Sequence, residues 1–329
     1  MKNSMKCILG LIALLGLAAC GGNDPAEHGT DSTPAAAANP PPAVAVVEPC
    51  DRDCLLGFVD RYIEALVAHD PSRAPFATNA QFTENAQVLT LGDALWGTAS
   101  APPDKYKLVV ADPETSTAAF FLIMKEAGDP IWLSGRLSVA NQQITELETV
   151  IIRSGGGFSN FEVEAVDPLW DEIVPPEERN TREELFAAAD GYMESLEKNL
   201  VDHVAFDESC DRLENGVKTA NNPALEGIGA MSCRENINSG MWVYIKEISP
   251  RRFLVADIER GISMGVFMFH HDGASEYAMV NGEKVMYEGA TRRPFTTVIP
   301  EMFKVKNGKI YRIMATMTSI PYKSKSGWE

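Results

Sequence analysis

The chain is poor in positive charge. Its 329 residues carry 29 Lys and Arg against 46 Asp and Glu, a formal net charge of −17. The basic residues form no long cluster, so no nucleic-acid partner is expected, because phosphate binding needs Lys and Arg to neutralise it. The surplus acid favours solubility. Histidine is scarce at five residues and cysteine at six. Cys50 and Cys54 form one C-x3-C pair, with no second pair and no His nearby, so no metal centre is expected. The sequence has no Walker A motif, dinucleotide fingerprint or calcium loop, and no cofactor is expected. Gly261 to Gly265 reads G-x-S-x-G. Strand-like Val266-Phe267-Met268-Phe269 follows it, however, where a nucleophile elbow requires a helix. Beyond the first 20 residues no apolar run approaches the ~18 needed to span a bilayer.

What the chain does have is an internal repeat. Asp60, Tyr62, Glu64, Leu66, Phe76, Glu84 and Asn85 recur 130 positions later as Asp190, Tyr192, Glu194, Leu196, Phe206, Glu214 and Asn215. After an insertion the register resumes at an offset of 145, where Leu108-Val109-Val110-Ala111-Asp112 answers Phe253-Leu254-Val255-Ala256-Asp257. Solenoid units run about 20–50 residues, so a repeat this long is two copies of one domain. The division expected is a first domain over 49–160, a linker over 161–180 and a second domain over 181–329.

The start of the chain has a different character. Lys2 and Lys6 precede an apolar run from Cys7 to Leu17, the length of a signal-peptide core. Leu17-Ala18-Ala19-Cys20 resembles the bacterial lipobox, which implies a signal peptide over 1–20 and lipidation of Cys20. Gly21 follows, with no Asp to suggest inner-membrane retention, so the resemblance implies an outer-membrane lipoprotein facing the periplasm or the cell surface. Residues 21–48, rich in Ala, Pro and Thr, read as a disordered tether. The membrane is then met through the Cys20 anchor rather than a span. The remaining cysteines, Cys50, Cys54, Cys210 and Cys233, would lie in an oxidising compartment. Four cysteines allow three pairings. Cys210–Cys233 is favoured because it would pin the insertion of the second repeat to its first strand, which leaves Cys50–Cys54 across one turn.

Each repeat opens with a helix. In the first, Leu55, Val59, Ile63, Leu66 and Val67 form a stripe at 3.6-residue spacing over 52–69. In the second, Thr181 and Glu184 form a capping box for a helix reaching about Leu200. Strand-like segments follow near 81–84, 105–111, 117–125, 131–140 and 143–152, and near 211–217, 241–248, 252–259, 262–270, 276–280, 284–288, 296–306 and 309–320. Asn281-Gly282 and Asn307-Gly308 are hairpin signals. Ser154-Gly155-Gly156-Gly157 reads as a flexible joint. The second repeat carries an extra hairpin and an extra loop at 218–240. Helix, turn and meander make each repeat α+β.

The helix, the early strand with its acidic residue and the final hairpin resemble the NTF2-like (SnoaL-like) cone fold in both repeats. Cys50-x-x-x-Cys54, Phe82-Thr83-Glu84-Asn85, Leu91-Gly92-Asp93-x-Leu95-Trp96, Arg212-Leu213-Glu214-Asn215-Gly216, Arg292-Arg293-Pro294, and the tail Pro321-Tyr322 with Ser326-Gly327-Trp328 are similar to a bacterial and fungal family of tandem NTF2-like proteins without an established activity. The resemblance implies two fused cones, each a helix packed on a curved, mostly antiparallel sheet. It also implies an intrachain pseudo-dimer through the open sheet faces, hence a monomer, and an apolar pocket between helix and sheet. One departure is local: Asn85 precedes Ala86 where the second copy has Gly216, a less permissive turn.

Active members of such a fold place a carboxylate or His in the pocket for proton transfer on a mostly apolar substrate. Glu84-Asn85 and Glu214-Asn215 fall in that region, and strand alternation lets one of each pair face inward. Glu214 and Asn215 are the first catalytic candidates; the structural alternative is a solvated Glu and an Asn bonded to a turn. Arg212 shares a strand face with Glu214 and is a candidate ion-pair partner. Of His270 and His271, one faces inward and is a candidate base. Arg292 and Arg293 are candidates for holding a ligand carboxylate. Tyr192, Trp242, Tyr244 and Trp96 suit a pocket lining, although such side chains more often form core. The expectation is a small-molecule pocket in the envelope with cofactor-free acid–base chemistry of lyase, isomerase or dehydratase type on an apolar or polycyclic compound. The alternatives are a non-catalytic binder or an envelope interaction protein.

Overall fold

The helix that opens the first repeat, α1 (Arg52–Val67), buries Leu55, Phe58, Val59, Tyr62, Ile63 and Leu66 along one stripe. The Asp51 carboxylate caps its N-terminus by accepting from the Cys54 N–H, and the Cys50–Cys54 disulfide ties the preceding residue to the first turn. The structure, a computed structural model, describes residues 50–155 and 158–329. The signal segment, Cys20, the 21–48 tether and joint residues Gly156 and Gly157 lie outside the described residues. Among the described residues no helix is long and apolar enough to cross a membrane.

From α1 the chain runs through β1 (Phe76–Glu84), β2 (Gln87–Leu89), β3 (Ala99–Ala101), β4 (Lys107–Asp112), β5 (Thr117–Glu126), β6 (Asp129–Ala140) and β7 (Gln143–Arg153). These form one sheet in the order β2-β1-β7-β6-β5, with β3 and β4 both on β5. Only the β1–β7 pairing is parallel. The second repeat starts with α2 (Arg182–Lys198), where Thr181 and Glu184 complete both halves of the capping box. It continues through β8 (Phe206–Glu214), β9 (Val217–Lys218), the short α3 (Cys233–Ile237), β10 (Glu247–Asp257) and β11 (Ile262–His271). After these come β12 (Tyr277–Val280), β13 (Glu283–Met286), β14 (Phe295–Lys306), β15 (Lys309–Ala315) and β16 (Thr318–Ile320). Its sheet order, β9-β8-β15-β14-β11-β10, repeats the first, again with one parallel pairing, β8–β15. Each helix closes an apolar core against its own curved sheet. The expected α+β architecture of two fused cones is present, and so are both favoured disulfides. Those bridges fit an oxidising compartment.

Several segments differ from the sequence expectation; β8, for one, runs from Phe206 to Glu214 rather than over 211–217. The first strand begins at Phe76, five residues early, because its outer half is half-exposed and pairs irregularly with β7. Residues 241–248 are not one strand. Gly240 takes φ +84°, Met241–Tyr244 make a 3-10 turn, and β10 then runs from Glu247 to Asp257 as one strand with two register shifts. The alternation of Trp242 and Tyr244 mimics a strand, but the Trp242 indole N–H is held by the Asn236 carbonyl at 3.0 Å. The last segment breaks at Thr316-Met317, and β16 leaves β15 to pair with β14. Both Asn-Gly pairs form the expected hairpins, with φ of +51° and +88° at 281–282 and +50° and +70° at 307–308. Ala86 adopts φ +65° where Gly216 has +79°, so the turn after the early strand is kept despite the missing glycine.

The outer faces of the two sheets pack on each other. Tyr106, Phe121, Trp132 and Val150 meet Val255, Met264, Met268 and Met302 in one apolar layer. Two related ion pairs close its edge. Arg182, at the start of α2, binds Asp112 at the end of β4 with 2.8 and 2.7 Å hydrogen bonds. Arg52, at the start of α1, binds Asp257 at the end of β10 with two 2.6 Å bonds. Each helix start thus clamps the other domain's sheet, the geometry of an isologous interface within one chain.

The linker is pinned from below by one cation. Lys304 is fully buried, and its ammonium donates to the carbonyls of Glu172 at 2.8 Å and Arg260 at 2.7 Å. Burial pulls its pKa down to about 8. Lys304→Met leaves those carbonyls unpaired in an enclosed site. We expect a loss of about 1–3 kcal/mol in urea unfolding, with hydrogen exchange rising first across 168–174.

Candidate functional site

A cavity of about 320 Å³ opens between α2 and the concave face of the second sheet. Arg212, Tyr192 and Glu301 line its floor, all nearly inaccessible to solvent. Phe158, Ala290, Thr291 and Ser319 lie at its more exposed rim. Between them Trp242, Tyr244, Phe269, Phe295 and Ile299 form apolar walls. Strand alternation places the floor groups: Cys210, Arg212 and Glu214 are two apart on β8, so their side chains share one face.

Arg212 organises the floor. Its Nε lies 3.2 Å from a Glu214 carboxylate oxygen and donates to the Thr219 hydroxyl at 3.0 Å. Its terminal nitrogens donate to the Tyr192 hydroxyl at 3.2 Å and the Asn236 carbonyl oxygen at 3.1 Å. Its guanidinium faces the Trp242 ring at 5.5 Å. Burial disfavours the Arg212 charge, but Glu214 and Tyr192 outweigh that and hold its pKa above the usual value. Glu301, on β14, is the group the sequence reading missed. Burial pushes its pKa well above the normal carboxylate range, and the neighbouring Glu214 charge pushes it further, against the pull of Arg212 and Tyr192. Among the described residues no ion pair forms at Glu301. The floor therefore sets an arginine-paired carboxylate beside a carboxyl group that favours its proton.

His271 supplies a second polar point. It is 4 % exposed and sandwiched between Phe295, 4.1 Å away and nearly parallel, and Tyr244 at 5.1 Å. Burial lowers its pKa to about 4, so its imidazole is neutral at pH 7. Its Nδ1 has no hydrogen-bond partner.

The structure brings Glu214, Asn215, Arg212, Tyr192, Trp242, Tyr244 and His271 to this cavity. Asn215 is nevertheless spent on the backbone. At φ +46° its side chain accepts from the Met317 N–H at 2.8 Å and donates to the Phe158 and Met317 carbonyls. The remaining candidates are elsewhere. His270 points to the opposite face, with Nδ1 2.7 Å from the Thr296 hydroxyl and Nε2 2.8 Å from the Ser249 carbonyl. It is a packing residue, not a base in the cavity, because adjacent strand residues cannot face the same side. Arg292 is exposed and turned to Ser275 and Glu276, and Arg293 is exposed beside it, so neither lines the cavity.

Glu84, Asn85 and Trp96 sit in the first cone, whose equivalent region is closed. Trp96 packs edge-on to Tyr62 and Phe76. Asn85 accepts from the Ile151 N–H at 2.9 Å, the counterpart of Asn215. The pairing registers identify the matching positions. Gly135 pairs with Thr149 as Glu301 pairs with Ala315, and Thr149 pairs with Glu84 as Ala315 pairs with Glu214. Glu301 thus replaces Gly135, and Arg212 replaces Phe82. At the mouth, Ile131 pairs with Arg153 as Thr297 pairs with Ser319, so Arg153 has become Ser319. Arg153 lies across the first cone's mouth, 2.5 Å from Glu126 and 3.7 Å from Glu84. One copy is plugged by an arginine and lined by Phe, and the other is opened by a serine and floored by acids.

Among curated proteins none matches the chain. Similar solved structures include a "Putative Isomerase" from Bacillus subtilis, at 9 % identity and TM-score 0.28, covering 41 % of this chain and 88 % of that one. A "Putative Isomerase" from Rhodopseudomonas palustris matches at 12 % identity and TM-score 0.26, over 42 % of this chain and 91 % of that one. AusH from Aspergillus nidulans matches at 13 % identity and TM-score 0.26, over 42 % and 85 %. These likenesses are too distant to carry an activity across. A family described as a domain of unknown function (DUF8021) matches residues 178–317, the stretch from just before α2 to just beyond β15 that holds every floor residue of the cavity.

Proposed function

We propose that the second cone is an acid–base site for a small, mostly apolar compound, working without a cofactor in a lyase, isomerase or dehydratase type of proton transfer. The observation that carries this reading is the pair of unlike carboxyl groups on one enclosed floor. Glu214 is paired with Arg212, whereas Glu301 is buried without an ion-pair partner. Burial raises the Glu301 pKa and so suits it to the acid role beside an arginine-paired carboxylate. Glu214 takes the proton and Glu301 returns one, or donates a hydrogen bond to the oxygen on which charge develops. Tyr192 accepts from Arg212, leaving its own O–H to face Glu301 or the ligand. The aromatic walls hold the apolar body, and neutral His271 offers a second hydrogen bond. The first cone acts as scaffold. Since the two sheet faces cover each other, the chain works as a monomer. We place it in the cell envelope, anchored as an outer-membrane lipoprotein through Cys20, on the lipobox-like sequence and the oxidised cysteines. Loss of the lipid mass in Cys20→Ser tests the anchor.

The reaction is tested with polycyclic β,γ-unsaturated ketones in deuterated water, following loss of the α-proton signal by NMR. Binding is measured separately from quenching of 2-naphthol fluorescence. The wild-type chain should exchange the α-proton at least ~10²-fold faster than Glu214→Gln or Glu301→Gln, the usual range for a lost general acid or base. Saturable binding with exchange no faster than in the variants would leave a binder, not an enzyme. No binding of any probe would remove both readings.

A further inference from the structure

The loop insertion of the second repeat supplies one residue that holds both the floor arginine and a wall of the cavity. Asn236 is completely buried in α3. Its side-chain oxygen accepts from the Arg212 guanidinium at 3.1 Å. Its side-chain nitrogen donates to the Ile228 carbonyl at 2.8 Å, which fixes the orientation of the amide. Its backbone carbonyl accepts the Trp242 indole N–H at 3.0 Å and the Ser239 hydroxyl at 2.7 Å. Thr219, at the start of the same insertion, gives Arg212 its hydroxyl and its carbonyl. The floor cation is therefore held on one side by Glu214 and Tyr192 and on the other entirely by the insertion.

Five residues make a helix too short to be stable alone. Two devices hold α3 in place. Ser232 and Glu235 form a capping box at its start. Cys233, at its first position, is bonded to Cys210, and Cys210 lies two residues before Arg212 on the same face of β8. The covalent link thus joins the strand that carries Arg212 to the helix that carries the acceptor of Arg212. Cys233 and Asn236 are three apart, so both fall on one side of the helix.

We propose that Asn236 is a positioning residue for Arg212 and Trp242, and that the Cys210–Cys233 bridge holds it there, so that the site is assembled only in the oxidised chain. This rests on the reading of Arg212 as part of the ligand site. Without Asn236 the guanidinium keeps Glu214, Tyr192 and Thr219 but loses the shorter of the two insertion contacts at its terminal nitrogen. The Trp242 wall loses its register when the bridge frees the helix. The role is confined to the second cone, because the first places Phe82 where Arg212 stands.

The test reads Arg212 itself, so it stands apart from whether any ligand turns over. In the full chain labelled with 15N-arginine, the Arg212 Nε–H should give a slowly exchanging signal, assigned by its loss in Arg212→Lys. Asn236→Ala should speed its exchange at least tenfold, and so should the Cys210→Ala/Cys233→Ala chain. Asn236→Asp keeps the acceptor for Arg212 but sets a carboxylate oxygen against the Ile228 carbonyl, so it should recover only part of the slow exchange. Glu235→Gln, which keeps the cap, should leave it unchanged. Binding of 2-naphthol should weaken about tenfold in Asn236→Ala, which is about 1.4 kcal/mol. Circular dichroism and the first-cone amide signals confirm that each variant is folded. Unchanged Arg212 exchange in a folded Asn236→Ala chain overturns the proposal. Faster Arg212 exchange without any change in naphthol binding supports the positioning role and counts against the cavity as the ligand site. If the bridge-free chain loses its second cone altogether, Asn236→Ala with the bridge intact decides the outcome.

Discussion

Asp112→Ala should cost about 3 kcal/mol of stability although Asp112 touches neither core nor cavity. The carboxylate is 1 % exposed and holds three groups: the Arg182 fork, the Ala256 N–H at 3.0 Å, and the Thr115 N–H. Removing it strands a mostly buried guanidinium and a buried amide across the domain seam. Breaking one partner out of a buried pair costs about 3–5 kcal/mol. The lower end applies because Arg182 keeps Glu114 at 3.0 Å and reaches water. Asp257→Ala should behave alike, since Arg52 relates to it as Arg182 does to Asp112. The two sites are neighbours, because Asp112 bonds the amide beside Asp257. The double variant should therefore deviate from the sum of the singles by more than about 0.5 kcal/mol. The pH sign follows from the carboxylate. Burial raises the Asp112 pKa, but hydrogen bonds from Arg182, Ala256 and Thr115 bring it below its usual value. A depressed carboxylate stabilises fully above its unfolded pKa of about 3.9. That contribution disappears as pH falls through the lower folded value. Urea midpoints of wild type and Asp112→Ala should converge in that acid window; equal midpoints at pH 7 would remove the clamp from the argument.

Much of this architecture is legible from the residues. The α1 stripe and the Thr181–Glu184 box place both helices within two residues of their observed ends. Periodicity and capping act over one helical turn, which a sequence displays directly. The Asn-Gly turns are equally local. The repeat reports the seam in advance, because Asp112 and Asp257 close its two matching strand motifs. What escaped was set by tertiary contacts. Trp242 and Tyr244 alternate as strand residues do. Their turn is fixed by the Asn236 carbonyl and by Tyr287, whose ring meets Tyr244 and whose hydroxyl donates to Met241.

The site was half visible. Glu214 and Arg212 stand two apart on an early strand, and that spacing alone puts them on one face. His270 and His271 could be separated only by register, since either parity was possible until β11 was paired with β14. Glu301 lies inside a strand that is otherwise apolar from Val298 to Phe303, apart from Pro300. Carrying the repeat past the second insertion would have exposed it, because that alignment sets Glu301 against Gly135. An acid replacing a glycine in the middle of a buried strand is unexplained by folding alone. Arg292 and Arg293 lie outside the cavity for a related reason. A pair of cations in a loop records charge, not direction, and their loop faces Glu276.

Glu301→Gln should make the protein more stable at pH 8 while slowing the proposed proton transfer by at least ~10²-fold. The wild-type carboxyl is buried beside the Glu214 charge, and its folded pKa is raised. A raised carboxyl contributes stability that is complete below its unfolded pKa, about 4.3, and is lost as pH rises through the folded pKa. At pH 8 the floor must therefore ionise Glu301 against that raised pKa or hold its proton against the solvent, and either is unfavourable. Glutamine fits the same space, keeps a carbonyl for the Tyr192 hydroxyl, and never ionises. The gain should be about 1–2 kcal/mol, the scale seen when a functional group is replaced by a structural optimum. It should vanish at pH 4, where wild type is also neutral. Asn215→Asp serves as the contrast: its amide donates to two carbonyls, so the new charge should lower stability at pH 8 and leave no activity gain. A structural role for Glu301 predicts the reverse order, with Glu301→Gln less stable than wild type at every pH. Thermal unfolding of the two chains at pH 4 and pH 8 separates these outcomes without knowledge of the substrate. If Glu301→Gln is stabilised only at the higher pH, the cone is holding an acid at a cost to its fold, and such a cost is expected where the group is kept for chemistry.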